Sequence, residues 1–201
     1  LLPQLPMYAV FDTAFHAQME PRAYLYALPY EYFDMYKIRR YGFHGISHHY
    51  VTETVKELDP NLNRIISCHL GGGASIAAVE NGHSIDTSMG FTPLEGLIMA
   101  TRAGDVDDGA IKYLQDLTKF SDQQVEDIEN KRSGLLGVSG FSSDMRTLLE
   151  EEKKGNERAH LAIEMYVYRI QKYLGSYVSA LGGLDAVVIT AGVGCGSDII
   201  R

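Results

Sequence analysis

Arg64–Thr87 reads RIISCHLGGGASIAAVENGHSIDT, and its punctuation decides the fold class. RIISCHL (Arg64–Leu70) is a short apolar run of the kind a buried strand shows. Gly71-Gly72-Gly73 makes a tight connection, and ASIAAV (Ala74–Val79) is the next strand. Asn81-Gly82 is the dipeptide that accepts the positive φ angles of a two-residue hairpin, so His83–Thr87 returns antiparallel. Working outward, LDAVVIT (Leu184–Thr190) is another buried strand, with AGVGCG (191–196) as a loop at its carboxyl end. Helices are expected over Asp107–Leu117, Ser121–Lys131, a segment capped by Ser142 or Ser143 that runs to Lys153, and Glu157–Leu181. The last of these carries an apolar face of Leu161, Met165, Tyr168, Leu174 and Val178 and ends at Gly182-Gly183. Ser133–Gly140 reads as a glycine loop, and Ser88–Gly104 as a loop with one short helix over Leu94–Met99. On the N-terminal side, Ser47 caps a helix to Leu58 that Asp59-Pro60-Asn61 stops. MYAVFD (Met7–Asp12) and KIRRY (Lys37–Tyr41) read as strands. The aromatic stretch between them reads as a loop broken by Pro21 and Pro29. Strands followed by helices, with glycine at the strand ends, indicate an α/β fold that binds ligands at the carboxyl ends of its strands.

Composition narrows the classes further. The chain has 201 residues, 45% of them hydrophobic, enough apolar mass for a sizeable core and too much for a disordered chain. Eighteen Lys and Arg against 26 Asp and Glu leave a net charge of −8, which does not suit a general nucleic-acid binder. No apolar run approaches the roughly 18–20 residues that cross a bilayer. The two cysteines, Cys68 and Cys195, have neither CxxC spacing nor the density of a disulfide framework. LLPQLPMYAV lacks the basic start and cleavage pattern of a signal peptide, so a cytoplasmic protein is expected. Both ends read as cut from something longer.

Three glycine segments lie beside strand or helix ends: His69–Gly73, Gly137–Arg146 and Ala191–Gly196. Glycine lets backbone N–H groups approach phosphate oxygens, so three in one α/β domain indicate phosphate or nucleotide binding. None matches GxxxxGK[ST] or GxGxxG, which disfavours P-loop NTPases and Rossmann oxidoreductases. Asp12 stands where a strand becomes a loop, as a catalytic carboxylate or as a cap. His44, between Gly42 and Gly45, either reaches a pocket or is a bonded loop histidine. His69 either donates to a phosphate or is a satisfied core histidine. Arg102 either bridges a carboxylate and a phosphoryl group or pairs with Asp105 or Asp107. Asp144 could cap the helix that follows and Arg146 could stack on a base, or both are ordinary surface capping. His48 and His49 fall in the first turn of a helix and read as ordinary; His16, His83 and His160 carry no signal.

FDTAFH (Phe11–His16), YALPYEYF (Tyr26–Phe33), RRYGFHGISHHYV (Arg39–Val51), the long string from Ser67 to Asp107, SGFSSDMR (Ser139–Arg146) and TAGVG (Thr190–Gly194) occur in this order. Together they resemble the acetokinase family over nearly the whole chain. The resemblance implies an actin/Hsp70/sugar-kinase-like (ribonuclease H-like) α/β domain with a mixed sheet and flanking helices. Residues 1–15 would be the edge of a first domain. Residues 16–201 would be the second, nucleotide-binding domain, truncated at both ends. The implied reaction is ATP + acetate ⇌ ADP + acetyl phosphate with magnesium.

By the same resemblance, Asp12, His44 and Arg102 match the family's active-site aspartate, its transition-state histidine and its substrate arginine. His69, Leu70, Gly71, Gly72 and Gly73 match the phosphate loop. Asp144, Met145 and Arg146 match the adenosine loop, and Gly192, Val193, Gly194, Cys195 and Gly196 a second nucleotide loop. Magnesium ligands and a second substrate arginine are expected in segments outside this sequence, and no metal ligand is assigned within it. This chain alone is therefore expected to have little or no kinase activity. The family's HLGNG appears here with Gly72 for Asn, and its GIGEN with Cys195 and Gly196 for Glu and Asn. Ala103 and Ala100 also depart from the usual Ser and Gly. The resemblance implies a homodimer through this domain, and acetate, acetyl phosphate and adenine nucleotide as partners. The alternatives are a propionate or butyrate kinase of the same family and a non-catalytic nucleotide-binding or dimerisation module.

Overall fold

The computed structural model describes residues 4–201; Leu1–Pro3, the first residues of the N-terminal stretch read above, lie outside the described residues. The deciding stretch folds as read. Strands β1 (Arg64–Leu70), β2 (Ala74–Glu80) and β3 (His83–Thr87) form an antiparallel meander. Asn81 and Gly82 turn the β2–β3 hairpin with φ of 51° and 86°, the left-handed pair whose twist matches the strands. Strand β4 (Ala186–Thr190) adds to β1 in parallel, with Ile65 opposite Ala186 and His69 opposite Thr190. The sheet order β3-β2-β1-β4 is therefore mixed, as expected.

Both faces of this sheet are covered, which is why its strands read as nearly continuous apolar runs rather than as an alternation. Alternate residues point to opposite faces. Ile66, Cys68, Leu70, Ile76 and Ala78 face the larger core, and Ile65, Ala77 and Val79 face a smaller one. Each fully buried aliphatic side chain there contributes roughly 1.5–3 kcal/mol. Helix α3 (Gly45–Leu58) packs on β1, and its Val55 joins the smaller core. On the larger core lie α6 (Gly134–Ser139), α7 (Met145–Lys153) and the long α8 (Glu157–Ala180). Helix α4 (Asp108–Thr118) starts at an Asp107 cap, and α5 (Asp122–Asp127) at a Ser121/Gln124 capping box before running into a π-helical turn over Ile128–Arg132.

Several expectations are corrected. Met7–Asp12 is not a strand: among the described residues no strand borders it, and Met7, Tyr8, Val10 and Phe11 are 83%, 87%, 74% and 70% exposed. An extended segment becomes a strand only when a neighbour takes its backbone groups. Lys37–Tyr41 is also not a strand, because its amides bond to a helix end and a loop instead of a strand: Arg40 N–H to Tyr24 O and Tyr41 N–H to Gly90 O. Pro21 and Pro29 start helices instead of breaking a loop, at the first residue of α1 (Pro21–Tyr24) and at the cap of α2 (Tyr30–Tyr36). Leu94–Met99 holds bends and turns instead of a helix, since Gly96 has φ of 108° and Glu95 is pulled into an ion pair with Arg40.

Two glycine segments read as loops are short helices. Ser133–Gly140 contains α6, whose Leu135 and Leu136 amides donate to Met99 O and Ala100 O while buried Leu135 anchors it. AGVGCG is α9 (Ala191–Gly196), seated by Gly194, where a Cβ would come 2.5 Å from Ile189. Asp144, not Ser142 or Ser143, caps α7 by accepting from Arg146 N–H. On α8 the buried face is Ala159, Ala162, Ile163, Tyr166, Ile170 and Tyr177, whose small members let it approach the sheet. Leu174 and Val178 pack at its edge, but Leu161, Met165 and Tyr168 remain 47%, 38% and 64% exposed.

Candidate active site

The site is built around the sequence Gly42-Phe43-His44-Gly45. His44 has a left-handed φ of 55° and stands at the cap position of α3. A Cβ on Gly45 would lie 1.9 Å from the Asp12 carbonyl oxygen, and one on Gly42, at φ of 74°, 2.5 Å from Thr87. Only glycine at both positions lets the 12–16 segment close over the loop. Asp12 then caps α3 from outside: its Oδ2 accepts from His44 N–H at 2.6 Å and its Oδ1 from Ile46 N–H at 3.2 Å. The cap alternative thus holds for Asp12. His16 supports the same loop, its buried ring bonding Phe43 O at 3.1 Å through Nε2 and Ser84 Oγ at 2.8 Å through Nδ1.

The His44 ring stacks on His69, with centroids 4.2 Å apart and planes 19° from parallel. Burial first, and then His69, push the His44 pKa down to about 4; Arg102 adds to this and Asp12 opposes it. His69 is lowered by burial and bonds Ser47 Oγ at 2.8 Å through Nδ1. Both rings are neutral at pH 7, which removes the repulsion two stacked imidazoliums would have. Behind them, His48 is fully buried and lowered well below its ordinary value by that burial.

Arg102 meets His44 over the glycine turn. A Cβ on Gly73 would stand 3.4 Å from Arg102 Nη1 and 3.4 Å from His44 Nε2. The arginine loop is tied to that turn by the Ala100 N–H bond to Gly72 O at 3.1 Å. Pairing of Arg102 with Asp105 or Asp107 is corrected. Asp105 accepts instead from Gly96 N–H and Tyr173 OH and lies beside Arg169, while Asp107 caps α4. The Arg102 guanidinium makes only long contacts, 3.5 Å to Pro93 O and 3.8 Å to Met99 Sδ, and no carboxylate pairs with it among the described residues. It is a half-buried cation beside a neutral imidazole.

On the other side of the turn lies a cavity of about 570 Å³. Gly71 and Gly72 form one wall, Asp144, Met145 and Arg146 a second, and Gly192, Val193 and Gly196 a third. Nothing lies within 4 Å of a Cβ placed on Gly72, Gly192 or Gly196, so these positions open onto free space. Arg146 and Asp144 pair at 2.8 Å on the rim, and that bond holds the Asp144 carboxyl down at about 2. His69 and Gly73 face the His44 side instead. Leu70 is a core side chain, Gly194 is buried beneath α9, and Cys195 is exposed with its Sγ near Ile189 O. Sequence reasoning missed Ser143, Leu149 and Ser197 on the cavity wall, and Ser47, Ser75 and His48 behind the histidines. Leu149 had a faint signal, one helical turn beyond Met145. Among the described residues no three His, Cys, Asp or Glu side chains converge as a metal-ligand set.

The sequence and the fold both have relatives among known proteins. The family model "Acetokinase family" matches residues 1–201. The chain is 54% identical to an acetate kinase of Pseudothermotoga lettingae and 55% identical to one of Bacillus subtilis, covering 100% of this chain in both and 50% and 52% of those proteins. It thus spans about half the length of the curated relatives it matches. Among solved structures, a Porphyromonas gingivalis acetate kinase superposes with TM-score 0.89 at 50% identity, over 92% of this chain and 47% of that one. A Francisella tularensis propionate kinase superposes with TM-score 0.95 at 44% identity, over 99% of this chain and 52% of that one. A family match along all 201 residues, joined to a superposable fold at 44–50% identity, places the chain in the acetokinase family.

Proposed function

We propose that this chain forms one wall of an acetate kinase, holding adenine nucleotide in the cavity and acetate at the opening. The reaction is ATP + acetate ⇌ ADP + acetyl phosphate. The observation that carries this is the convergence of Arg102 Nη1 and His44 Nε2 on Gly73, with the cavity on the other side of the same turn. A phosphate chain lying along Gly71–Gly73 would leave the nucleoside in the cavity and bring its terminal phosphoryl group to Arg102 and His44. Phosphoryl transfer is mainly positioning and neutralisation of equatorial oxygens. A guanidinium without a carboxylate partner supplies the charge; a neutral imidazole supplies a directed contact. Asp12 acts here by holding the His44 loop. Magnesium, when bound, would neutralise phosphate charge.

The domain assignment, with residues 1–15 bordering a first domain and 16–201 forming the nucleotide-binding one, belongs to the same proposal, as does a cytoplasmic setting. No helix among the described residues is long and apolar enough to cross a membrane. A homodimer is supported by the Leu161, Met165 and Tyr168 stripe on α8, which borders a surface hollow of about 470 Å³. Sedimentation velocity tests it. The likeness to a propionate kinase favours comparing acids of two to four carbons, where the relative kcat/KM assigns the acyl preference.

The test is a chimera in which this chain replaces the matching half of the Bacillus subtilis acetate kinase. Acetyl phosphate formation should fall about 100- to 1,000-fold in kcat/KM on Arg102→Ala, the size of losing one charge-stabilising group. Near-parental kcat/KM would remove Arg102 from the reaction.

A further inference from the structure

Behind the site runs a line of alternating hydroxyls and imidazoles that leads to His44. Ser67 Oγ lies 2.9 Å from His48 Nδ1, and His48 Nε2 lies 2.8 Å from Ser75 Oγ. Ser75 Oγ lies 2.9 Å from His44 Nδ1. Ser67, His48 and Ser75 are fully buried, so no solvent supplies a missing partner. We infer that this line sets His44 in the single tautomer that carries its proton on Nε2, the atom facing Arg102 and Gly73.

The numbers of donors and acceptors along the line give it a direction. A serine hydroxyl has one hydrogen to give; a neutral imidazole has one N–H and one bare nitrogen. His48 is deeply buried among other histidines and carries one proton. Suppose that proton sat on Nδ1 and pointed at Ser67. Ser67 Oγ has no other bonded partner among the described residues, so its own hydrogen would be buried with no acceptor. Suppose instead that Ser67 gives its hydrogen to His48 Nδ1. Then His48 Nε2–H donates to Ser75, Ser75 donates to His44 Nδ1, and His44 keeps its proton on Nε2. Every donor is used in this direction and one is orphaned in the other. The line begins at Ser67 on β1 and ends at His44.

The consequence bears on the proposed function and, for its catalytic part, rests on it. Arg102 Nη1 forms no hydrogen bond with the His44 ring; its contacts to Pro93 O and Met99 Sδ are long, and both it and His44 Nε2 stand 3.4 Å from the Cβ position of Gly73. Two donors and no acceptor suit an anionic oxygen. Ser67, His48 and Ser75 are positioning residues: they touch no reacting atom but decide which face of His44 gives a proton.

The test is a long-range proton–nitrogen correlation spectrum of the chain with isotope-labelled imidazole nitrogens, with His44 assigned by the signal missing in His44→Gln. At pH 7 the His44 signal should show Nε2 protonated and Nδ1 bare. A protonated Nδ1, or an even mixture, overturns the inference and needs no variant that might misfold. In Ser75→Ala the single tautomer should give way to a mixture, while Thr54→Ala, on the exposed side of α3, should leave it unchanged. In the chimera, Ser75→Ala should lower kcat about tenfold with little change in KM, as losing the orienting partner of a functional histidine does. A mixed tautomer with unchanged kcat would overturn the role of His44 in the reaction and leave the tautomer assignment standing.

Discussion

Lowering the pH from 7 to 5 should strip this fold of much of its stability, because histidines are buried in it as neutral rings. His16, His44, His48 and His69 all have pKa values pushed below the ordinary 6.5, chiefly by burial. The unfolded chain therefore takes up protons first. Stability is whole above pH 6.5 and falls as pH drops from there towards each folded value, by about 1.4 kcal/mol per pH unit for each group. For His48, fully buried, the drop from 6.5 to 5 is about 2 kcal/mol. For His44, held at about 4 but part exposed, half of the same figure is a fair discount for solvent screening, about 1 kcal/mol. The two together give about 3 kcal/mol, and His16 and His69 add in the same direction. His160 opposes them: its pKa is raised by Glu152 first, so its contribution grows on acidification, but it is an exposed group. Asp144 and Asp185 are held low by arginine partners and lose their contribution only below this window. Urea unfolding followed by circular dichroism at pH 7, 6 and 5 is the assay. With a slope of roughly 2 kcal/mol per molar urea, the midpoint should move down by about 1.5 M. An unchanged or higher midpoint at pH 5 would refute the claim that these rings are neutral in the fold.

Two further outcomes follow from single side chains. Gly72→Asn should leave stability within about 0.5 kcal/mol, since nothing lies within 4 Å of its Cβ, and should tighten ADP binding by about 1 kcal/mol in calorimetry; no change in affinity would show that the cavity wall at Gly72 does not face the nucleotide. Glu95→Gln breaks the pair with Arg40, whose side chains are only 31% and 17% exposed, and should cost about 2–3 kcal/mol, less than a fully buried pair. A melting temperature lower by about 4–10 °C is expected, and an unchanged one would mean that the pair does not hold the loop leading to Arg102.

Much of the sheet was legible because its cues are local. The Asn81-Gly82 turn needs only its own dihedrals, and the apolar runs of β1, β2 and β4 need only two covered faces. The candidate residues Asp12, His44, Arg102 and Asp144–Arg146 came from motif strings; the structure sets His44 and Arg102 beside Gly73, Asp144–Arg146 across the cavity from Gly71 and Gly72, and Asp12 on the His44 backbone. What failed had non-local causes. Met7–Asp12 has strand composition but no neighbour to pair with among the described residues. Leu161, Met165 and Tyr168 have helical spacing, yet the small Ala159 and Ala162 decide which side of α8 meets the sheet. Gly134–Ser139 and Ala191–Gly196 look like loops because glycine has low helix propensity, but anchoring contacts to the Met99–Ala100 backbone and to Ile189 outweigh that preference.

By itself, then, the sequence determined the hairpin, the four strands that form the sheet, the extent of α4 and α8, and the family, because each of these is written in contiguous residues. Only the tertiary structure decided what the histidines do. His48, unremarkable in a helix turn, becomes the link between Ser67 and Ser75 because α3 packs on β1. Arg102 stands without a carboxylate partner although Asp105 and Asp107 follow it closely, because Tyr173, Arg169 and the start of α4 claim those carboxylates first. Hydrogen-bond partnership and burial belong to residues far apart in the chain, and no local pattern encodes which of them will meet.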